Sequence, residues 1–350
     1  MQTKFETAPP VNPSNDFVQP GVYLTFDVEC SMGGAWADPN LKPVPPSRAI
    51  WGEYGDQKLG IPLIVKILED HGLAATFFVD AFTEDQGFEG LTEPVCTYLL
   101  DHGQDVQLHV HPNKKHYAMK MRGEEHPFED NIGALAPDAQ LVLLQEGADR
   151  LQRWTGQSPA AFRAGNGGAS EETLVQLEKV GIHVDSSYTF SGSACLFDQS
   201  EAYNGSKFYG NVLELGLSGF LQPNLPPLLP QKALDPVGIS FAECRDTIQS
   251  VCDAGADAVL ILHSFSLFKW KNVQYDGGRL NRIVTSRFRR TCRWLAEHAS
   301  EYPCQTFLDV SRAVDAGTYQ ARAVPPCRLN RPLRSYARKA AQVWNNLYWT

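Results

Sequence analysis

The sequence predicts an α/β protein built on a parallel sheet, either an open doubly wound sheet or a (β/α) barrel. Two observations predict it. Short β-branched and aromatic runs that stop at polar residues recur along the chain, as buried strands do. Helix-period segments closed by glycine lie between most of them, and strands alternating with helices imply parallel strands joined by helical crossovers.

In chain order the strand runs are 21–27 (GVYLTFD), 74–80 (AATFFVD), 105–111 (DVQLHVH), 160–164 (AAFRA), 182–186 (IHVDS), 212–217 (VLELGL), 258–263 (AVLILH) and 305–310 (QTFLDV). A helix at 61–71 ends at Gly72, one at 141–154 ends at Gly156, and one at 171–180 starts behind Ser170 and closes at Gly181. Ser before and Gly after a helix satisfy its orphan backbone groups. Two further helices are read at 241–254 and 281–299, and the proline-rich stretches 42–47 and 221–236 read as ordered loops. No Gly-x-Gly-x-x-Gly follows a strand and no Gly-Lys-Ser/Thr occurs, which argues against a nucleotide-phosphate cradle.

At 350 residues and 43% hydrophobic the chain can bury a sizeable core, so general disorder is excluded. The formal charge is -9, yet residues 328–350 carry five basic side chains and no acid, so the body is more acidic than the total. That balance argues against gripping nucleic acid or anionic lipid by charge. The eight cysteines form no Cys-x-x-Cys pair and read as buried or free thiols. Residues 1–17 lack a charged-then-apolar leader and no long apolar run occurs, so a cytoplasmic protein without integral membrane association is expected.

In both candidate architectures the chemistry sits at the carboxyl ends of the strands. The first run ends in Asp27-Val28-Glu29, the third in His109-Val110-His111, the fourth in Arg163, the fifth in Asp185 and the seventh in His263. Residues i and i+2 of a strand share a face, so Asp27 pairs with Glu29 and His109 with His111. Such a set is costly to bury without partners, and a divalent metal compensates it.

These residues resemble the motifs of the polysaccharide deacetylases of carbohydrate esterase family 4. Thr25-Phe26-Asp27-Val28-Glu29 is similar to the first motif, with the two acids separated by one residue, and Gln107-Leu108-His109-Val110-His111-Pro112 stands where that family has its metal-binding histidines. Phe162-Arg163-Ala164-Gly165-Asn166-Gly167-Gly168, Asp185-Ser186-Ser187-Tyr188 and Leu262-His263-Ser264 resemble the remaining three, in order. The His-x-His-Pro segment looks closest to a sub-group associated with bacterial surface-polysaccharide loci. The usual second histidine position holds Asn113, so His111 supplies the second imidazole, with Asn113 or His116 as weaker candidates for a third donor.

The resemblance implies a single-domain distorted (β/α) barrel of seven or eight parallel strands over 18–327, between a flexible segment 1–17 and a basic amphipathic tail 328–350. It implies metal-dependent removal of an N-acetyl, or with less support O-acetyl, group from a sugar in a polysaccharide precursor or glycoconjugate. Glu29, His109 and His111 would hold one divalent ion, Zn²⁺ first, with Co²⁺ or Ni²⁺ as alternatives. Asp27 would be the base, Arg163 would keep it ionised, His263 would protonate the leaving amine and Asp185 would orient that imidazole. Hydrolysis of a formamide or cyclic ureide, and glycan binding without turnover, stay open beside it.

Substrate contacts are expected from the loops. Trp36, Trp51 and Tyr54 lie in the long segment after the first strand with Asp38, Glu53 and Asp56, Asn166 follows Arg163, and Phe268, Trp270 and Tyr275 follow His263. Aromatic faces above a polar site suit sugar rings, and equally pack lids. The tail, with Leu333, Tyr336, Val343, Trp344, Leu347, Tyr348 and Trp349 among its basic residues, reads first as a terminal helix folded on the acidic body and second as a peripheral membrane or partner contact.

Overall fold

The structure, a computed structural model, describes residues 19–224 and 229–347. The expectation for 1–17, part of the 221–236 loop, and Tyr348 and Trp349 lie outside the described residues.

Eight of the main sheet's ten strands build the curl: β1 Val22–Val28, β2 Thr76–Asp80, β3 Asp105–Val110, β4 Phe162–Ala164, β5 Val184–Asp185, β6 Asn204–Tyr209, β7 Val212–Leu215 and β8 Ala258–His263, with the short strand Ala323–Val324 antiparallel to β6 at its edge. Their order is β8-β1-β2-β3-β4-β5-β7-β6. From β8 to β7 all pairings are parallel, while β6 is antiparallel to β7. The short strand Cys304–Gln305 also pairs in parallel with β1. Single hydrogen bonds draw the two ends of the curl together: the Val259 amide donates to Ser218 Oγ at 2.9 Å, the Ser218 amide to the Val259 carbonyl at 3.0 Å, and the Ile261 amide to the Leu234 carbonyl at 3.2 Å. The result is the distorted barrel that the sequence motifs imply.

The alternation of β1 shows how this sheet is packed on both faces. Val22, Leu24, Phe26 and Val28 join the apolar layer beneath the outer helices, whereas Tyr23 belongs to a second cluster inside the curl with Phe78, Leu213, Leu215 and Val259. Period-two alternation therefore leaves Asp27, two residues beyond Thr25, pointing inward at the mouth.

Beside a single turn at Pro46–Ala49, the helices are α1 Ile61–Glu69, α2 Glu93–Asp101, α3 Pro112–Met121, α4 Pro137–Thr155, α5 Glu171–Lys179, α6 Phe241–Asp253, α7 Arg282–Glu297, α8 Phe307–Asp315 and α9 Pro332–Leu347. Gly156, the C-cap of α4, adopts φ 75, which only glycine takes without strain. Ser170 and Thr173 form a reciprocal cap at the start of α5.

The run 305–310 is corrected: past the bridge at Cys304–Gln305 it is a helix. Thr306 Oγ1 accepts from the Asp309 amide at 3.3 Å and the Asp309 carboxylate accepts from the Thr306 amide at 3.0 Å, a capping box that commits the segment to helix. The first amides of α8 then dock on the strand starts, Phe307 to Thr76 Oγ1 at 2.9 Å and Leu308 to Asp105 Oδ2 at 3.1 Å. Phe307 and Val310 thus plug the floor of the curl.

The tail residues 332–347 form α9, which folds onto the body. Arg338 is buried against Glu243 and donates to Gln222 Oε1 at 2.7 Å, and Arg331 meets Asp246 at 2.8 Å. Among the described residues no helix is long and apolar enough to cross a membrane, and all eight cysteines are unpaired with one another.

Phe307 is 0% exposed and meets Tyr23 and Phe78 edge-on at 5.5 and 5.2 Å. Phe307→Ala is expected to cost about 3–5 kcal/mol by cavity formation, read as a shift in the urea unfolding midpoint. A loss below about 1 kcal/mol would show that the floor is held by something else.

Candidate active site and metal centre

The parallel register sets the strand ends side by side: Asp27 opposite His263, Asp80 opposite His109, and His109 opposite Arg163. One rim of the curl therefore carries most of the residues singled out from the sequence.

Arg163 crosses the mouth above the Phe78 ring, 4.2 Å from its centroid, to reach Asp27. Its Nη1 donates to Asp27 Oδ1 at 2.7 Å, while Nε and Nη2 donate to the Ser186 carbonyl and Oγ, each at 3.0 Å. Both charges are buried. Burial pushes the Asp27 carboxyl up, but Arg163, with His109 and His263, overcomes it and holds Asp27 below its ordinary value. Oδ1 is committed to Arg163, which leaves Oδ2 facing His263 Nε2 at 3.9 Å.

Glu29, His109 and His111 bring one ligand atom each within 4.8 Å of one another. His109 Nδ1 lies 2.8 Å from the Arg163 carbonyl. A carbonyl only accepts, so the ring proton sits on Nδ1 and the Nε2 lone pair is free for a metal. Among the described residues Nε2 is buried without a hydrogen-bond partner. His111 Nε2 lies 2.7 Å from Glu29 Oε2 and its Nδ1 2.9 Å from Asp130 Oδ2. Two imidazoles and one carboxylate, each imidazole anchored through its far nitrogen, fit a divalent ion with positions left for water and substrate.

Several partners carry no sequence signal of their own. Asp130 steadies His111 and is itself bound by Asn166 Nδ2 at 2.9 Å, so Asn166, expected as a substrate contact, acts here as a brace. It adopts φ 60 to do so. Gly165 lies flat on the His111 ring, where an added Cβ would come within 2.4 Å of the ring atoms. Lys114, in the unexpected helix α3, is 2% exposed; it contacts the Asp80 carboxylate and lies 3.4 Å from Glu29 Oε2. Asp80 ends a strand, so its positional signal was there; Lys114 sits in a segment without apolar periodicity and had none.

Asp185 is not brought to His263. Its Oδ1 accepts from Ser187 Oγ at 2.7 Å, and it faces Glu214 across the β5–β7 pairing. Asp185 Oδ2 and Glu214 Oε2 are both buried without another partner, and one shared proton satisfies both. Burial foremost pushes both carboxyls up. Instead, Asp235 shares a cavity with His263. His116 Nδ1 lies 3.2 Å from the Glu129 carbonyl and is not in the donor cluster; Asn113 donates its backbone amide to Asp130 at 3.3 Å, and its side-chain Oδ1 is buried without a hydrogen-bond partner among the described residues.

The aromatic residues divide. Trp270 stacks on Tyr275 at 3.7 Å and meets Phe265, which stacks on His263 at 5.0 Å. Tyr54 packs on Phe268 and donates to the Tyr275 carbonyl at 2.7 Å. Trp36 instead packs among Tyr117, His126 and Phe128, and Trp51 on Tyr98 of α2. Asp38 bonds Asn40 and Glu53 pairs with Lys58, both local to the loop.

No family model matches the sequence, and no curated protein matches it. Among solved structures, the chain is similar to a Mycobacterium smegmatis protein assigned to the polysaccharide deacetylases, at 17% identity and TM-score 0.51 over 94% of this chain and 99% of that one. At that identity the likeness is one of fold. A looser similarity, TM-score 0.40 and 13% identity over 79% of this chain and 88% of the other, is to a family 4 carbohydrate esterase from Streptomyces lividans in complex with acetate.

Two outcomes follow from the buried charges. Lys114→Met leaves the buried Asp80 carboxylate without its cation, and a cost of about 3–5 kcal/mol is expected in urea unfolding; Asp80→Asn in the same chain should return part of it. For the Asp185–Glu214 pair, raised acid pKa values mean that the native state holds the proton more tightly than the unfolded chain. The pair's contribution to wild-type stability should therefore be fully present below the ordinary carboxylate range, about 4, and be lost as pH rises above it. In Glu214→Gln that loss should shrink, and parallel pH dependences for the two proteins would rule out the shared proton.

Proposed function

We propose that the protein is a metal-dependent deacetylase that hydrolyses the N-acetyl group of a sugar in a polysaccharide precursor or glycoconjugate. The observation that carries this reading is the juxtaposition of the Glu29–His109–His111 cluster with Asp27 and His263 on one rim. A base and an acid on either side of a cation-binding cluster are the parts that amide hydrolysis needs.

A divalent ion, Zn²⁺ by its nitrogen-rich donor set, would be held by Glu29, His109 and His111 and would supply Lewis acidity toward the acyl oxygen and the attacking water. Asp27 Oδ2 takes the proton of that water. Arg163 keeps the carboxylate ionised and fixes its rotation by holding Oδ1. His263 Nε2, between Asp27 Oδ2 at 3.9 Å and Glu29 Oε1 at 3.7 Å, hands a proton to the leaving nitrogen. An amide nitrogen leaves slowly unless protonated, so a poised imidazole favours N-acetyl over O-acetyl substrates. Asp130, 2.9 Å from His111 Nδ1, would hold that imidazole with Nε2 toward the cluster when the ion is bound.

The test is acetate release from an N-acetylglucosamine oligomer. Dialysis against a chelator should abolish it and Zn²⁺ restore it, and Asp27→Asn should lower the rate by about 10²–10⁴, the range for loss of a general base. Acetate release that survives both treatments, or release of formate or ammonia in its place, would overturn the reading.

A further inference from the structure

We infer that the cavity between His263 and α9 is a glycan subsite, and that Asn345 and Asn346 of the C-terminal helix are specificity-determining residues for the sugar chain extending from the nitrogen-bearing residue. The inference rests on the deacetylase reading and adds the place where the rest of the substrate lies.

The argument starts from which side of His263 is already used. Its Nε2 faces Asp27 and Glu29, so the acyl carbon lies on that side and the leaving nitrogen against the imidazole. Whatever is attached to the nitrogen must continue past the ring. There the structure holds a cavity of about 510 Å³ whose wall includes Asp235, His263, Phe265, Trp270, Asn345 and Asn346. That volume is within the range for small-molecule sites and holds more than a single acetyl group.

The wall has sugar-binding chemistry. Trp270 is fixed by stacking on Tyr275 at 3.7 Å, so it offers a preorganised apolar face to the C–H face of a pyranose. Side-chain amides both donate and accept, as ring hydroxyls require. Placement of Asn345 and Asn346 is not left to a loose terminus. Upstream, Arg338 is buried against Glu243 and Gln222; next, Gln342 Nε2 donates to the Val237 carbonyl at 3.2 Å; at the site itself, Lys269 Nζ donates to the Asn345 carbonyl at 2.9 Å. The basic residues of the tail thus serve to seat a helix whose last turn closes a cavity beside the imidazole.

Two measurements separate this inference from the parent reading. With the metal-loaded enzyme, the double variant Asn345→Ala/Asn346→Ala should lower kcat/KM for an N-acetylglucosamine tetramer about tenfold, mainly through KM, as expected for two lost hydrogen bonds. Hydrolysis of methyl acetate, whose leaving group is a single methoxy and does not extend along the cavity to the two asparagines, should stay unchanged. An equal fall on both substrates, or none on either, overturns the subsite. Calorimetric titration of the same tetramer into Asp27→Asn protein, with and without the two asparagine substitutions, does not depend on turnover. Binding that weakens about tenfold on losing the two amides supports the subsite even if no acetate is ever released; equal binding, or no binding to either form, overturns it even if the protein proves to be a deacetylase.

Discussion

The ion pair between Asp27 and Arg163 is the constraint around which the mouth of the barrel is organised. A carboxylate at 5% exposure is unfavourable without a counter-charge, and Arg163 reaches it across the inside of the curl, over Phe78. Three of the guanidinium's five N–H donors are engaged there, one by Asp27 and two by the Ser186 carbonyl and hydroxyl at the end of the next strand. Strand β1 is in this way tied across the curl to the neighbouring pair β4 and β5 at a common height. The same tie passes on to the candidate metal cluster, because the Arg163 carbonyl is what fixes the His109 ring.

A second layer of charge sits just outside. Lys114 links Asp80 with Glu29, and Asp130 links His111 with Asn166. These groups place the proposed ligands without being ligands. The rim alternates in sign from side chain to side chain, so each acid has a cation or imidazole beside it and none is left uncompensated. The Asp185–Glu214 pair follows the other solution available to buried acids, keeping a proton between them.

How much of this was legible in the sequence follows from how far each signal is local. The strand ends were legible because a polar residue closing a β-branched run, and a partner two residues on, are properties of a few adjacent positions; Asp27 with Glu29 and His109 with His111 are of this kind. The helix α3 was not, since its polar face and its buried residues follow no apolar stripe, and Lys114 goes inward only because two acids from other segments await it. The run QTFLDV was misread as a strand because short apolar runs fit either period, although Thr306 and Asp309 already spelled a helix start. Asp185 was placed beside His263 by analogy of motif order, and chain order does not say which strand neighbours which: β7, arriving later in the chain, inserts beside β5 and brings Glu214 to it.

Gly165 gives this architecture a gauge. Because the His111 ring occupies the space where any Cβ at position 165 would stand, a larger residue there and an imidazole at 111 in this orientation exclude each other. Within this chain any substitution at 165 therefore displaces the imidazole at 111 from the cluster, so a residue with no functional group limits where a candidate ligand can stand.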